Sequence, residues 1–259
     1  ALRIRYLLDQ IEVRAKLKAI QEVKYAQTSH LVDSNEAHTE RDVLRGSWGV
    51  ARCLNYYNWF IKTVKIVDGI NLPETAVFEG AQGALLHQDY GFQPYTTWSD
   101  TSFANAMKIV GERPVVRIGV LRTYMTRHGP GPLPTEDPLL EVNGDHNKID
   151  LWQGVFRAGH LDRMLLRYAL QIVAGVDGFA LTHLDHVVDG WKACWIYKGM
   201  DDIELTKPAN YKKQLVMTEQ IAKAQPQYID VGEMVSVIRA WGDAPVLIES
   251  WGPTAEDKL

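Results

Sequence analysis

Residues 160–181, HLDRMLLRYALQIVAGVDGFAL, decide the fold class. Five apolar residues recur there at helical spacing: Leu161, Met164, Leu165, Tyr168 and Ile172. Gly175 then ends the helical pattern, because glycine is common just beyond the end of a helix. The pattern predicts a helix from about His160 to Ala174, and the apolar run Gly178–Leu181 predicts a strand. A helix followed directly by an apolar strand is typical of α/β proteins.

The same alternation continues on both sides of this stretch, from residue 74 to the C-terminus. Short apolar runs predict further strands at Thr75–Phe78, Val115–Leu121, Ala193–Tyr197 and Pro245–Glu249. Helical spacing predicts two further helices, Lys212–Ala224 and Gly232–Ala240. We therefore expect an α/β fold with a single mixed or mainly parallel sheet flanked by helices.

The first 74 residues carry less information. Apolar residues from Ile4 onward fall on one helical face, and no capping residue precedes them: Ile4, Leu7, Leu8, Ile11 and Ala15. A helix without a cap is consistent with a frayed terminus or with an upstream piece that is missing. The segment His30–Gly49 is polar and poorly periodic, which predicts a surface excursion.

Composition places the chain among ordinary globular proteins. Of its 259 residues, 46% are hydrophobic and 23% are charged, which argues against the disordered and fibrous classes. The 28 Lys and Arg residues are outnumbered by 32 Asp and Glu residues, so the net charge is −4. We therefore expect neither a non-specific nucleic-acid binder nor a polybasic membrane binder. No linker divides the sequence, and a single domain over residues 1–259 is expected.

Cysteine content and apolar runs indicate the compartment. Cys53 and Cys194 are too few for a disulfide framework or a cysteine-built zinc site. The sequence contains no run approaching the ~18 apolar residues that a spanning helix needs, and no signal-peptide pattern at its start. A reducing, cytoplasmic compartment is therefore expected.

A glycine-rich loop, FEGAQG at residues 78–83, follows the first predicted strand. Gly80 and Gly83 allow a ligand to approach the backbone, and ligands bind beyond the carboxyl ends of strands in open α/β sheets. Gln82 offers an amide that both donates and accepts. Residues 91–101, GFQPYTTWSDT, add hydroxyl groups and a tryptophan, which suit a flat, oxygen-rich ligand such as a nucleotide. A plain turn is the alternative interpretation of the glycines.

Two later loops carry arginines. Residues 122–136, RTYMTRHGPGPLPTE, are rich in Pro and Gly, whose stiffness lowers the entropic cost of presenting Arg127 and His128 to a ligand. Residues 143–147, NGDHN, lead to Arg157, whose planar guanidinium suits a carboxylate or a phosphate. A surface ion pair is the alternative role for either arginine.

Taken in order, these motifs resemble the adenylosuccinate synthetase family. The resemblance rests on residues 78–83, 95–101 and 126–136, on LTHLD at 181–185 and on SWGP at 250–253. Three segments are more similar to the bacteriophage-type branch, 2-aminoadenylosuccinate synthetase: TTWS at 96–99, HN at 146–147 and WQGVFR at 152–157. The resemblance covers residues 75–259, and residues 1–74 match poorly.

The resemblance implies a P-loop-NTPase-like ligase fold and a reaction that joins L-aspartate to C6 of a 6-oxopurine nucleotide. The C6 oxygen is a poor leaving group, so a nucleoside triphosphate first phosphorylates it, and the aspartate amine then displaces phosphate. The purine is IMP in the ordinary branch and dGMP in the phage-type branch, which is the expectation here. The resemblance also implies Mg²⁺, a homodimer and the cytoplasm, that of a host cell if the protein is phage-encoded.

Binding roles follow residue by residue from the same resemblance. Gln82 and Thr97 are implied to contact the purine monophosphate, and His128 with Gly129 to lie beside its sugar. Aspartate is implied to bind Arg157 and Asn147. The base of the triphosphate nucleotide is implied to bind four residues: His183, Asp185, Gly252 and Pro253. Because the ordinary family has Lys where this chain has His183, ATP or dATP is expected as readily as GTP.

Catalytic residues and metal ligands stay unassigned. The family's phosphate loop, GDEGKGK, and the histidine after it are not found in these 259 residues, although in the family they supply the base, a magnesium ligand and charge stabilisation. His38 or Asp33 could substitute, but each is more typical of a solvated loop. This absence and the uncapped first helix favour a chain whose first part is missing; if the chain is complete, we expect poor binding and no catalysis.

Two other functions are consistent with these residues. A catalytically inactive nucleotide-binding protein would need only the binding residues. A hydrolase metal site could combine His183, Asp185 and His186 with His160 and Asp162, although this spacing matches no specific zinc motif. A lectin-like or structural role is disfavoured, because the polar residues gather at strand ends.

Overall fold

The structure, a computed structural model, describes residues 4–32, 38–66, 73–140, 142 and 154–259. The chain divides into two compact units, Ala1–Pro73 and Glu74–Leu259, and each has a hydrophobic core of its own. The second unit begins one residue before Thr75, where the family motifs begin. Within the described part of the chain, no helix is both long and apolar enough to cross a membrane.

The first unit is built from helices. A 3₁₀ turn, Ile4–Leu8, precedes α1 (Gln10–Val32), α2 (His38–Arg45) and α3 (Ser47–Thr63). Its core contains four buried residues: Leu7, Val13, Val50 and Leu54. The segment His30–Gly49, predicted as a surface excursion, is mostly exposed where its side chains are described, but α2 makes part of it helical rather than irregular. A polar sequence suits an exposed helix as well as a loop, so polarity could not separate the two.

The helical face predicted at the N-terminus is wrong. Leu8 and Ile11, which were placed on the buried face, are 66% and 83% exposed, whereas Val13 is fully buried. The 3₁₀ turn has three residues per turn, so it moves the residues before Asp9 out of phase with α1. Asp9 caps α1, because its Oδ1 accepts the amides of Ile11 at 2.9 Å and Glu12 at 3.0 Å.

A parallel sheet of three strands lies in the second unit. Its order is β1 (Ile118–Arg122), β4 (Gly178–Thr182) and β7 (Val246–Glu249). Because all three strands run in the same direction, their carboxyl ends meet at one edge of the sheet. That edge carries the motifs at residues 181–185 and 250–253.

The other four strands form a mixed sheet. Its order is β2 (Tyr124–His128), β3 (Phe156–Asp162), β5 (Lys192–Tyr197) and β6 (Pro226–Asp230). The β3–β5 pair is parallel and the outer pairs are antiparallel. Only Thr123 separates β1 from β2, so the chain passes from one sheet directly into the other.

Four helices belong to the second unit: α4 (Ala104–Val110), α5 (Arg163–Ile172), α6 (Tyr211–Ala222) and α7 (Met234–Trp241). One buried cluster joins Phe179 and Leu181 of β4 to Ile238 of α7. A second cluster joins Tyr168 of α5 to Ile221 of α6. Each such side chain contributes about 1.5–3 kcal/mol when it leaves water, and together they hold both sheets against the helices.

The mixed α/β class with parallel strands flanked by helices is confirmed, with the strands divided between two sheets where one was predicted. The strand predicted at Thr75–Phe78 is wrong, because these residues have irregular backbone. The main helix begins at Arg163 rather than near His160, since Asp162 ends β3 and caps α5 by accepting the Leu165 amide. The sequence patterns did not predict α3, α4 or three of the strands: β2, β3 and β6.

Candidate functional site

The carboxyl edge of the parallel sheet brings two predicted motifs together. The amide of Leu184 donates to the carbonyl of Ser250 at 3.2 Å, which joins the turn after β4 to the turn after β7. Thr123, at the end of β1, donates its hydroxyl to the carbonyl of His183 at 2.9 Å. His183, Asp185, Gly252 and Pro253 thus belong to neighbouring turns; we call these four residues the strand-end site.

His183 lies at the centre of this edge. Its φ of +63° is left-handed, which is uncommon for a residue other than glycine. Its Nδ1 lies 2.9 Å from the hydroxyl of Thr182, and its ring packs edge-on against Tyr124 at 5.3 Å. Burial, followed by the nearby Arg122 and His186, lowers the pKa of His183. A neutral ring held in one orientation can pack against a flat base.

Asp185 is exposed and lies beside His186. Its Oδ2 lies 3.5 Å from Nε2 of His186, whose ring stacks against Tyr124 at 6.3 Å. A carboxylate accepts hydrogen bonds from N–H groups such as those on the edge of a purine. The arrangement therefore offers rings for stacking and an acceptor beside them.

The Gly252–Pro253 turn is held by the last residues of the chain. The hydroxyl of Ser250 and the ammonium of Lys258 both donate to the carbonyl of Gly252, at 3.2 Å and 2.5 Å. A Cβ on Gly252 would lie 2.6 Å from the carboxylate of Asp257, so a larger residue there would require this side chain to move. Pro253 itself is exposed beside it.

The first glycine loop contacts the hydroxyl-rich segment. Ser99 donates its hydroxyl to Oε1 of Gln82 at 3.2 Å, and the amide of Thr97 donates to the carbonyl of Leu86 at 2.9 Å. A Cβ on Gly80 or on Gly83 would meet no atom of the described residues within 4 Å. Crowding by these residues therefore does not account for the two glycines.

A buried histidine missed by the sequence analysis supports this segment. His87 is 5% exposed, and its Nε2 lies 3.4 Å from Oδ1 of Asp100. The hydrogen bond from the Ser102 side chain, with help from His87, holds the pKa of Asp100 below its usual range. Asp100 directly follows Ser99, so its contact with His87 holds the hydroxyl-rich segment in place. A lone histidine in a mixed sequence gave no pattern that predicts such a pair.

His128 and Gly129 lie at the other end of β2. The strand register pairs His128 with Phe156 and Arg127 with Arg157. Because neighbouring side chains on a strand point to opposite faces, His128 lies on the face opposite the two arginines. It is exposed and packs against the ring of Phe156 at 5.0 Å. We call Gln82, Thr97, His128 and Gly129 the loop site.

The guanidinium of Arg157 is hydrogen-bonded to other groups of the chain. Its Nε and Nη2 donate to both carboxylate oxygens of Glu136, and its Nη1 donates to the carbonyls of Gly129 at 3.1 Å and Gly131 at 2.8 Å. The hydrogen bonds with Arg157 lower the pKa of Glu136. Since an arginine has five N–H groups, one is left over. A ligand carboxylate would need this group or would have to displace Glu136.

One strand separates the two sites. Tyr124, at the start of β2, packs against His183, and His128 is the last residue of the same strand. Four residue steps along a strand span about 13 Å. The two predicted sites therefore lie at opposite ends of β2.

Comparison with known proteins decides the family. The family model described as adenylosuccinate synthetase matches residues 1–248. The chain belongs to the adenylosuccinate synthetase family. The match includes the helical unit before residue 74, in which the sequence analysis found no motif.

Adenylosuccinate synthetases of known sequence agree with this assignment. That of Hamiltonella defensa is 31% identical over 239 residues, which cover 87% of this chain and 53% of that protein. That of Desulforamulus reducens is 30% identical over 259 residues, which cover 94% of this chain and 58% of that protein. The chain thus spans little more than half the length of these relatives.

A solved structure agrees with the synthetase fold. Fully ligated adenylosuccinate synthetase from Plasmodium falciparum has a TM-score of 0.53 at 20% identity, covering 92% of this chain and 62% of that chain. Cyanophage S-2L succinoaminodeoxyadenylate synthetase, bound to dGMP and dATP, has a TM-score of 0.41 at 18% identity, covering 70% and 44%. The second value is too low to support the branch assignment.

The remaining predicted residues of this synthetase-family chain were not assigned to either site. Asn147 and Asp33 lie outside the described residues, and His38 begins α2. His160 and Asp162, which the metal-site interpretation combined with His183, are both buried, and each has a partner of its own. Nε2 of His160 lies 3.2 Å from Asp137, and Tyr197 donates its hydroxyl to Asp162 at 2.6 Å.

Burial raises the pKa of Asp162 to about 6. Among the described residues, no group of three or more His, Cys, Asp or Glu side chains is arranged to hold a metal ion. The hydrolase interpretation therefore gains no support from this part of the chain.

Proposed function

We propose that this chain forms the substrate-binding part of a ligase that joins the amine of L-aspartate to C6 of a 6-oxopurine nucleotide. The observation that carries the proposal is the contact between the two segments predicted to bind the purine, where Ser99 donates to Gln82 at 3.2 Å. An amide and hydroxyl groups that converge on one place suit the polar edge of a purine. Family membership supplies the reaction class.

The proposed reaction needs little covalent chemistry from these residues. A nucleoside triphosphate phosphorylates the C6 oxygen, and the aspartate amine then displaces phosphate from that carbon. Catalysis of this kind depends mainly on the positions of the ligands and on charge stabilisation. The loop site is proposed to bind the purine monophosphate and the strand-end site the base of the triphosphate. A separation of about 13 Å leaves room for the phosphates between them.

The proposed purine is dGMP, with IMP as the alternative. The support is the TTWS run at residues 96–99 and the WQGVFR segment at residues 152–157, both of which resemble the phage-type branch. The product would then be a 2-aminoadenylosuccinate-type nucleotide that leads to a diaminopurine. Equal or better turnover of IMP than of dGMP would reject this choice.

Arg157 and Asn147 are proposed to bind aspartate. The fork of Arg157 already accommodates one carboxylate, that of Glu136. Aspartate could take the place of Glu136 without a change in the geometry of the guanidinium. Replacement of Arg157 by Ala should then raise the KM for aspartate about tenfold or more, because one charge-assisted pair is lost. An unchanged aspartate KM would remove Arg157 from this role.

The triphosphate is proposed to be ATP or GTP. Asp185 accepts N–H groups of either base, and His183 offers a ring where the ordinary family has Lys. Mg²⁺, a homodimer and a cytoplasmic location are further proposals from the family. The family's magnesium ligand lies in the phosphate loop, which these residues lack, so no residue of this chain is assigned to the metal.

Phosphate release tests the proposal. The protein is mixed with Mg²⁺, ATP or GTP, and dGMP or IMP, and phosphate is measured with and without L-aspartate. Aspartate-dependent release that is faster with dGMP supports the ligase and its branch. Calorimetry with the same nucleotides is run in parallel. Purine monophosphate binding without aspartate-dependent release, also in a longer chain that includes a phosphate loop, would instead support a binding protein.

A further inference from the structure

Two arginines lie opposite each other on the neighbouring strands β2 and β3. Arg127 and Arg157 are direct partners in the β2–β3 register. Like charges directly opposite one another on neighbouring strands are destabilising. Arg157 is paired with Glu136, whereas no ion pair of Arg127 is found among the described residues. Burial and the charge of Arg157 accordingly lower the pKa of Arg127. Hydrogen bonds and the ring of Tyr95, whose centroid lies 5.9 Å from the guanidinium carbon, stabilise Arg127 in this position.

Arg127 connects the two halves of the loop site. Its Nε donates to the carbonyl of Pro130 at 2.9 Å, and its Nη2 donates to the carbonyl of Tyr95 at 2.9 Å. Tyr95 lies two residues before Thr97, and Pro130 directly follows Gly129. One planar side chain thus fixes the separation between the hydroxyl-rich segment and the turn after β2.

The turn after β2 leaves space for this side chain. Gly131 has a φ of +118°, which only glycine adopts easily, and a Cβ there would overlap the guanidinium of Arg127. Its carbonyl accepts a hydrogen bond from Arg157. The path of the turn is therefore matched to the position of both arginines.

We propose that Arg127 is a positioning residue for the purine monophosphate. It acts through the carbonyls of Tyr95 and Pro130, and it holds Thr97 and Gly129 at the spacing that the nucleotide needs. The inference rests on the proposed function of the loop site. It does not concern the strand-end site, to which Arg127 makes no hydrogen bond within the described part of the chain.

A positioning role and a purely structural role predict different results. A structural link would lower stability and weaken both ligands together. A positioning link would weaken the monophosphate alone, because only the loop site changes. Arg117 provides a matched control, since it also joins two segments, with bonds to Asp177 and to the carbonyl of Ala174. It precedes β1, at the opposite end of the parallel sheet.

The test compares Arg127→Gln with Arg117→Gln by calorimetry. Each protein is titrated with dGMP, with IMP and with a non-hydrolysable ATP analogue. Arg127→Gln should raise the Kd for the monophosphate that the wild type binds about tenfold or more, as expected for the loss of charged hydrogen bonds. Its Kd for the ATP analogue, and both values for Arg117→Gln, should stay within about twofold.

Arg127→Lys keeps the charge but cannot reach both carbonyls with one planar fork. It should give an intermediate increase in the monophosphate Kd, and it replaces the Gln variant if that variant does not fold. Monophosphate binding at wild-type affinity by either folded variant would overturn the inference. Equal weakening of the ATP analogue would also overturn it. A wild type that binds neither dGMP nor IMP would instead reject the proposed function.

Discussion

The loop site and the strand-end site are held in place by different parts of the chain. The turns of the strand-end site are joined mainly by main-chain hydrogen bonds, such as those from Leu184 to Ser250 and from Ser250 to Leu181. The segments of the loop site are joined by side chains, through Arg127, Arg157 and the contact between Ser99 and Gln82. Single substitutions should therefore disturb the loop site far more than the strand-end site.

The largest expected effect is a change in the free energy of unfolding with pH, and it arises in β3, the strand that carries Arg157. Asp162 ends that strand, and burial raises its pKa from 3.8 to about 6. Between these values the folded protein holds a proton that the unfolded chain releases. Stability is therefore lost as pH rises through about 4 to 6, by about 3 kcal/mol in total at 1.36 kcal/mol per pKa unit.

Denaturation with urea over a pH range that starts below the ordinary pKa of Asp and extends above 7 checks this expectation. Asp162→Asn should lack the loss, so its free energy of unfolding should gain on that of the wild type as pH rises. Asp189→Asn, at an exposed loop position, serves as the control. Parallel curves for Asp162→Asn and the wild type would show that Asp162 does not titrate in this range.

The second expectation concerns the charged pair beneath the loop site. Arg157→Met removes both bonds to Glu136 and those to two carbonyls, and it leaves the carboxylate without its partner. Because the pair is partly exposed, we expect a loss of about 2 kcal/mol in unfolding free energy. Glu136→Gln and the double variant complete a thermodynamic cycle. Strictly additive losses would mean that the pair contributes nothing.

The smallest expected effect is the loss of one buried threonine hydroxyl, and it can be measured separately for each site. Thr123 and Thr135 are both fully buried, and each donates its hydroxyl to a carbonyl, that of His183 at 2.9 Å and that of His160 at 2.7 Å. Replacement of either by Val should cost about 1 kcal/mol. Only Thr135→Val, next to Glu136, should weaken monophosphate binding measurably in calorimetry. A larger effect from Thr123→Val would reverse the comparison.

Helical periodicity and apolar runs correctly predicted those helices and strands whose sequences carry one clear pattern. The helix α5 and the strands β4, β5 and β7 were found because each has a continuous apolar signal. The strand β3 was missed because five of its seven residues are buried and no alternation marks it. The strand β6 was missed for the opposite reason, since it begins with Pro226 and is mostly exposed.

The sequence also predicted which segments carry polar groups at strand ends, but not how they are connected. Arg157 pairs with Glu136, 21 residues away, and Ser99 contacts Gln82 across 17 residues. Such pairs depend on the register of β2 and β3 and on the path of the turns between them. The role given to each binding residue stays a prediction.

Calorimetry with two ligands tests the central claim most directly, which is that this chain has separate places for a purine monophosphate and for a nucleoside triphosphate. The wild type is titrated with dGMP in the absence of other ligands and again at saturation with a non-hydrolysable ATP analogue. We expect one dGMP per chain in both titrations, with Kd values within about threefold of each other. Loss of dGMP binding in the presence of the analogue would mean that both nucleotides compete for a single site, and would contradict the account.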